Sequence, residues 1–241
     1  MNAAMQSRLV KLTGVISNYK VTRAEACFVF TDSDQNAMGV TAIAAAVFGL
    51  SGPAIATASS AMSTTEDADY VEFDLSEQPV KGWVWRSPFE QGDEVEVIAE
   101  WKGDHYEAAG IARPSDRIIA LYPHCSRGRT KHVKNAVKWW LICSTFFGIF
   151  ILLLAYPVVG FRDYLRALSE GIGYGIAISY FVIGILTFDL ARKWMPFARL
   201  AERIFTTLGW LDPSSIDLIR STKIQRKSND SGELGTFFFH Y

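Results

Sequence analysis

The sequence predicts an α+β membrane protein. It reads as a small β-barrel of OB or SH3-like type with an Ala/Gly-rich helical-hairpin insert, then a two-helix transmembrane hairpin, then cytoplasmic amphipathic helices. Three observations predict this. Residues 8–123 contain six or seven short alternating runs separated by turns. Trp139–Phe161 and Gly171–Phe188 hold no charge over 23 and 18 residues. Charge is also divided along the chain: residues 1–123 carry 9 Lys/Arg against 17 Asp/Glu, and residues 124–241 carry 15 against 8. Balances of −8 and +7 place the two parts in different surroundings. The basic part contains the apolar runs, so the anion it meets is a lipid headgroup and not nucleic acid. The expected boundaries are 1–126 for the barrel domain, 127–191 for the hairpin and 192–241 for the amphipathic helices and tail.

The chain of 241 residues is 49% apolar with a mean hydropathy of +0.12, which excludes a disordered chain, a collagen repeat and a disulfide scaffold. Met1–Lys11 lacks an apolar signal core. Cys27, Cys125 and Cys143 are odd in number and widely spaced, which reads as reduced thiols facing the cytosol. Cys125, His124 and His132 offer too few ligands for a metal and read as unpaired surface residues.

In the barrel, Leu9–Tyr19 and Ala26–Thr31 alternate and are rich in β-branched and aromatic residues. Tyr70–Leu75, Val80–Trp85, Glu94–Trp101, His105–Ala112 and Arg117–Tyr122 follow, and Lys102-Gly103-Asp104 marks a tight turn. Between Asp34 and Glu66 lie 31 uncharged residues rich in Ala, Gly and Ser, divided by Ser51-Gly52-Pro53 into two short helical arms. Each arm is too short to cross a bilayer alone. The insert reads first as a packed or oligomer-contact hairpin through Ala42, Ala45, Ala46 and Gly49, with dipping into lipid as the alternative.

At about 1.5 Å per residue the first uncharged run spans roughly 35 Å, more than the roughly 30 Å hydrocarbon core. Helices are required there because lipid satisfies no free backbone N–H or C=O. The spans are expected at about 138–160 and 171–190. Only nine residues, 162–170, join them, so the two form a hairpin. Lys134, Lys138, Trp139 and Trp140 before the first span, and Arg192, Lys193 and Trp194 after the second, read as interface anchors. The loop has only Arg162 and Arg166, so the positive-inside rule puts both termini in the cytoplasm. Gly171, Gly175 and Ser179 form a small-residue face on the second span, and Ser144 and Gly148 repeat that rhythm on the first. Packing within the hairpin and self-association of several hairpins both fit.

Beyond the second span, Phe197, Leu200, Ala201, Ile204, Phe205 and Leu208 follow helical periodicity, with Arg199, Glu202 and Arg203 opposite. This reads as an amphipathic helix on the cytoplasmic leaflet, ended by Gly209. Asp212-Pro213 reads as a new helix start. The tail from Lys223 reads as loose as far as Phe237–Phe239.

No catalytic constellation emerges. The sequence lacks a phosphate-binding loop, HExxH and GxSxG. Asp104-His105 reads as a turn. Asp189 at the span edge reads as a charge reaching the interface beside Arg192 and Lys193. Lys81, Trp83, Trp85 and Arg86 imitate a nucleic-acid face, but a domain balance of −8 opposes phosphate binding. The expectation is a non-enzymatic protein with no cofactor and no metal.

The run LVKLTGVISNYKVTRAEACFVFT, the insert AMGVTAIAAAVFGLSGPAIA, the stretch KGWVWRSPFEQGDEVEV, and LYPHCSRGR leading to AVKWWL occur in series. Over residues 8–160 this order resembles a family of bacterial membrane proteins labelled type VI secretion system effectors. The resemblance supplies no catalytic residues. It implies an inner-membrane protein acting through oligomerisation, protein contacts or membrane contacts. Its partners would be the bilayer, copies of itself, and a type VI toxin or secretion component. An immunity-type protein offering an acidic barrel to a basic toxin is the alternative, and a membrane-anchored scaffold barrel the second alternative.

Overall fold

The computed structural model describes residues 9–26, 66–159, 163, 166–167 and 171–241. Within it, β1 (Val10–Ala26), β2 (Glu66–Leu75), β3 (Gln78–Val84), β4 (Glu94–Trp101) and β5 (Tyr106–Arg113) close into a barrel. β1 pairs antiparallel with β4 through Val10–Val15 and with β2 through Ile16–Ala26. The pairing shifts register between Ser17 and Lys20, where Asn18 has φ 52°. This irregularity bends the long strand so that it serves both neighbours. Closure comes from a parallel β3–β5 pair centred on Lys81 and Glu107. The backbones are close there: a Cβ on Gly82 would stand 2.6 Å from the Ala108 carbonyl oxygen. Alternating inward residues, including Ile16, Val71, Phe73, Val80, Val95, Val97 and Ile111, fill the core.

The expected strands therefore form, with two differences. Leu9–Tyr19 does not stop at Tyr19 but continues as β1 to Ala26. The remainder of the Ala26–Thr31 run and the whole 35–65 insert, with Ala42, Ala45, Ala46 and Gly49, lie outside the described residues.

Two further strands extend the sheet, β6 (Ile118–Leu121) and β7 (Phe238–His240), in the order β3-β2-β1-β4-β5-β6-β7. The helices are α1 (Arg129–Val159), α2 (Gly173–Thr207) and α3 (Leu218–Gln225), with a 3-10 turn at Pro213–Ser215. The chain divides into two units, Met1–Arg129 with Pro196–Tyr241, and Thr130–Met195. The last 46 residues thus belong with the barrel and do not form a separate region.

This corrects the reading of the C-terminal part. Phe197, Leu200, Ala201, Ile204, Phe205 and Leu208 are buried by protein, so no lipid leaflet receives them. Ile204 sits over Gly110 of β5, next to Leu121 of β6. Phe197 to Phe205 lie in the last turns of one continuous 35-residue helix that runs through Pro196, and Leu208 follows its end. α2 stops at Thr207, and Gly209, at φ 79°, turns the chain; the Trp210 N–H closes the end by donating to the Phe205 carbonyl at 3.0 Å. The expected helix at Pro213 is only the 3-10 turn, with Asp212 left-handed and not capping. α3 begins instead after Asp217, which accepts the Arg220 N–H.

The tail is anchored as well. Ala120 pairs with Phe238 and Ile119 with Phe239, and both phenylalanines are buried. Trp210 stacks on Phe205 on one side and Tyr241 on the other, at 5.2 and 4.8 Å. A tail that reads as polar therefore closes the sheet edge beyond β6, an edge that would otherwise present unpaired backbone groups.

Candidate functional site

In the Thr130–Met195 unit the two helices meet along an antiparallel seam of large residues over small ones. Trp140 lies over Gly184, and its indole N–H donates to the Tyr180 carbonyl at 3.1 Å. Tyr180 and Ile176 in turn lie over Gly148, with side-chain atoms 3.6 and 3.5 Å from where a Cβ would stand. Tyr180 Oη is 2.9 Å from Thr145 Oγ1. Ser144 is fully buried in the same unit, and its Oγ has no hydrogen-bond partner among the described residues. Nearer the ends, His132 Nε2 lies 2.9 Å from the Ala191 carbonyl oxygen, and Lys193 pairs with Asp189 at 3.0 Å.

The small-residue stripe divides accordingly. Gly148 takes part in the seam. Among the described residues, a Cβ on Gly171 or Gly175 would meet nothing within 4 Å, so those two leave open surface there. Ser179 spends its hydroxyl on its own helix, donating to the Ile176 carbonyl at 2.7 Å. Gly184 escaped the sequence reading, although a glycine about three-quarters along the uncharged Gly171–Phe188 run was the available signal. Away from the seam the helices present Phe146, Leu153, Phe181, Leu186 and Phe188, each at least 65% exposed. Lys134, Lys138, Trp139, Arg192 and Lys193 are exposed, while Trp140 and Trp194 are half-buried.

The residues leading into α1 are clamped inside the barrel unit. The Gly128 N–H donates to the Ile216 carbonyl at 3.0 Å, and the Leu218 N–H to the Ser126 carbonyl at 3.1 Å. Arg127 pairs with Asp217 at 3.2 Å. Glu202, almost fully buried, accepts the Arg129 backbone N–H at 3.0 Å and its Nε at 2.5 Å. A carboxylate at the first residue of a helix satisfies an unpaired N–H and complements the helix dipole. Gly128 is enclosed: a Cβ there would stand 2.2 Å from the Pro213 carbonyl oxygen and 2.6 Å from that of Ser214. Sequence reading missed this clamp because its halves lie 73 to 92 positions apart.

Beside the clamp, His124 holds a left-handed backbone at φ 67°. Its Nε2 lies 2.9 Å from Glu66 Oε2. Its ring packs between Trp85 at 4.8 Å and Phe197 at 5.1 Å. Burial pushes the imidazole below its ordinary pKa, against the opposing pull of Glu66. Cys125 is buried, and burial pushes its thiol up. The expected unpaired surface residues are thus an enclosed pair, His124–Glu66, beside a buried thiol. Among the described residues no cluster of three or more His, Cys, Asp and Glu could hold a metal ion.

A second ionisable group lies where β4 turns into β5. Lys102 Nζ is 3.0 Å from Glu100 and 3.5 Å from Glu107, and all three side chains are nearly buried. Burial raises the Glu107 carboxyl to about 7, with Lys102 opposing and Glu100 reinforcing the shift. The sign follows. Unfolded, this carboxyl ionises near 4.5; folded, near 7. Its contribution to stability is therefore full below about pH 4.5 and is lost as pH rises through about 7. Glu107→Gln is expected to unfold near the wild-type temperature at pH 4.5 and to be more stable by about 1–3 kcal/mol at pH 8. Thermal melts of the two proteins across that range check it, and an equal difference at both ends would refute it. Asp104 and His105 are joined at 2.7 Å in the exposed turn, which lowers the Asp104 pKa through the hydrogen bond.

Comparison with known proteins finds no relative. No family model, no curated protein and no solved structure matches the chain.

Proposed function

We propose that α1 and α2 cross a membrane as a hairpin and hold an OB-type barrel at its cytoplasmic surface as a non-enzymatic binding module. The observation that carries this is the exposed apolar belt of Phe146, Leu153, Phe181, Leu186 and Phe188 on two helices long enough to span a bilayer. A soluble monomer does not leave so large a contiguous apolar surface in water. Lys134, Lys138, Arg192 and Lys193 at the ends support cytoplasmic termini. The strand order 1-2-3-5-4-1 with a parallel β3–β5 closure favours an OB-type over an SH3-like barrel.

The module's partner is a basic protein surface. The barrel with its C-terminal segment carries 17 Lys/Arg against 22 Asp/Glu, a balance of −5, while the hairpin unit carries 7 against 3. The excess is smaller than the −8 of residues 1–123 because basic residues of the tail pack into the same unit. The type VI resemblance makes a toxin or secretion component the candidate partner in an inner membrane. A second reading, a membrane-active oligomer, is favoured by the open surface at Gly171 and Gly175.

Alkaline-carbonate extraction and flotation test the anchor: the chain is expected to stay with the lipid, and recovery in the supernatant would overturn it. Reporters fused at each end are expected to be active only in the cytoplasm. Expression of the chain alone, with growth and membrane potential followed, separates the readings. Intact potential supports the binding module, and depolarisation supports the oligomer.

A further inference from the structure

We infer that the exposed face of α3, formed by Arg220, Lys223 and Ile224 and continued by Lys227, is a docking surface for anionic lipid headgroups. The inference rests on the membrane reading above and deepens it by naming the chemistry the barrel unit itself meets at the bilayer. Three observations carry it.

The first is the division of α3 into two faces. Leu218 and Thr222, four apart, are buried. Thr222 ties the helix to the C-terminal strand, its Oγ1 accepting the His240 N–H at 2.8 Å. Arg220, Lys223 and Ile224 are all exposed, and Lys227 continues them. Among the described residues, Arg220, Lys223 and Lys227 form no ion pair; Arg226 donates to the Ser231 carbonyl at 3.2 Å. The nearby acids are engaged otherwise. Asp217 pairs with Arg127, Asp230 accepts the Lys227 backbone N–H, and Glu233 pairs with Arg86.

The second is apolar exposure in the same segment. Leu211 and Ile224 are 93% and 74% exposed, the highest values among the exposed large apolar residues described. The unit buries Leu200, Ile204, Leu208 and Leu218. An isolated apolar side chain flanked by cations is the pattern of a face that enters the headgroup layer, where the apolar tip sinks and the cations meet phosphate.

The third is attachment. Residues 212–218 hold the segment leading into α1, through Gly128–Ile216, Ser126–Leu218 and Arg127–Asp217. The surface is thus tied to the membrane root and complementary to an anionic leaflet. The buried 197–208 face, which has the better amphipathic sequence, is not available for this role.

The test uses the full chain in lipid nanodiscs with a solvent-sensitive fluorophore on Ile224→Cys. Cys27→Ser and Cys143→Ala remove other reactive thiols, and the buried Cys125 stays. In discs containing phosphatidylglycerol the emission is expected to shift to the blue, and in pure phosphatidylcholine discs it is not. Each cation near an anionic surface contributes about 1 kcal/mol, so R220Q/K223Q/K227Q is expected to lower the docked-to-undocked ratio by about a hundredfold. Unchanged emission in both lipids, or an equal shift in both, overturns the inference while leaving the anchor intact. The same shift on adding inorganic phosphate to phosphatidylcholine discs identifies a free-anion site and also overturns it. A chain that carbonate strips from vesicles overturns the anchor and this inference together.

Discussion

Gly128→Ala is expected to lower the unfolding temperature of the barrel unit by about 10 °C, because the new methyl would fall on two backbone oxygens at once. The Pro213 and Ser214 carbonyls stand 2.2 and 2.6 Å from the Cβ position. Backbone cannot rotate aside as a side chain does, so the 212–218 segment must move. Movement breaks the Gly128–Ile216 and Ser126–Leu218 hydrogen bonds, each a net contribution of about 1 kcal/mol. Forced repacking adds about 1–3 kcal/mol. The sum, about 3–5 kcal/mol, corresponds to the stated shift for a unit of this size. Limited proteolysis should show new cleavage between Gly209 and Asp217. Gly175→Ala is the control: its methyl, in the first turn of α2, meets nothing within 4 Å among the described residues, so it should melt with the wild type. If both variants melt with the wild type, the clamp does not hold the root of α1.

What was legible in the sequence follows physical range. The barrel strands show as period-two alternation, a property of neighbouring residues. The apolar helices show as uncharged runs, again local. The Lys102-Gly103-Asp104 turn is present, with Gly103 at φ 102°. The illegible parts are pairings between distant segments. His124 meets Glu66, Glu202 caps Arg129, and Phe238 pairs with Ala120, and nothing in either partner's surroundings announces the other. Pro196 is a different case. Proline inside a helix removes one hydrogen bond and favours a break, yet α2 runs through it, and Pro196, Phe197 and Ala198 are buried. The gain from burying the following turns offsets the lost bond. Gly171 and Gly175 show the converse limit, since a small-residue rhythm states that close approach is permitted and not that a partner is present.

The face from Phe197 to Leu208 shows why amphipathicity alone could not choose its environment, since an apolar stripe at helical spacing satisfies a protein core and a lipid leaflet equally. Phe205→Ala separates the two. The ring is fully buried and stacks on Trp210 at 5.2 Å, which itself stacks on Tyr241. Removing it deletes transferred apolar area and leaves a cavity under both partners, an effect of about 3–5 kcal/mol for a phenylalanine. The expected result is a drop of about 10 °C in the unfolding temperature of detergent-solubilised protein. Amide exchange should accelerate in β6 and β7, where the tail closes the sheet edge. Partition into lipid should not change, because the proposed spans lie elsewhere. A leaflet-bound face would respond in the opposite sense, with unfolding temperature and exchange unaltered and contact with lipid weakened. Near-ultraviolet dichroism adds a signature that no lipid-facing ring would supply: loss of the Phe205–Trp210–Tyr241 stack should reduce the indole band before global unfolding begins.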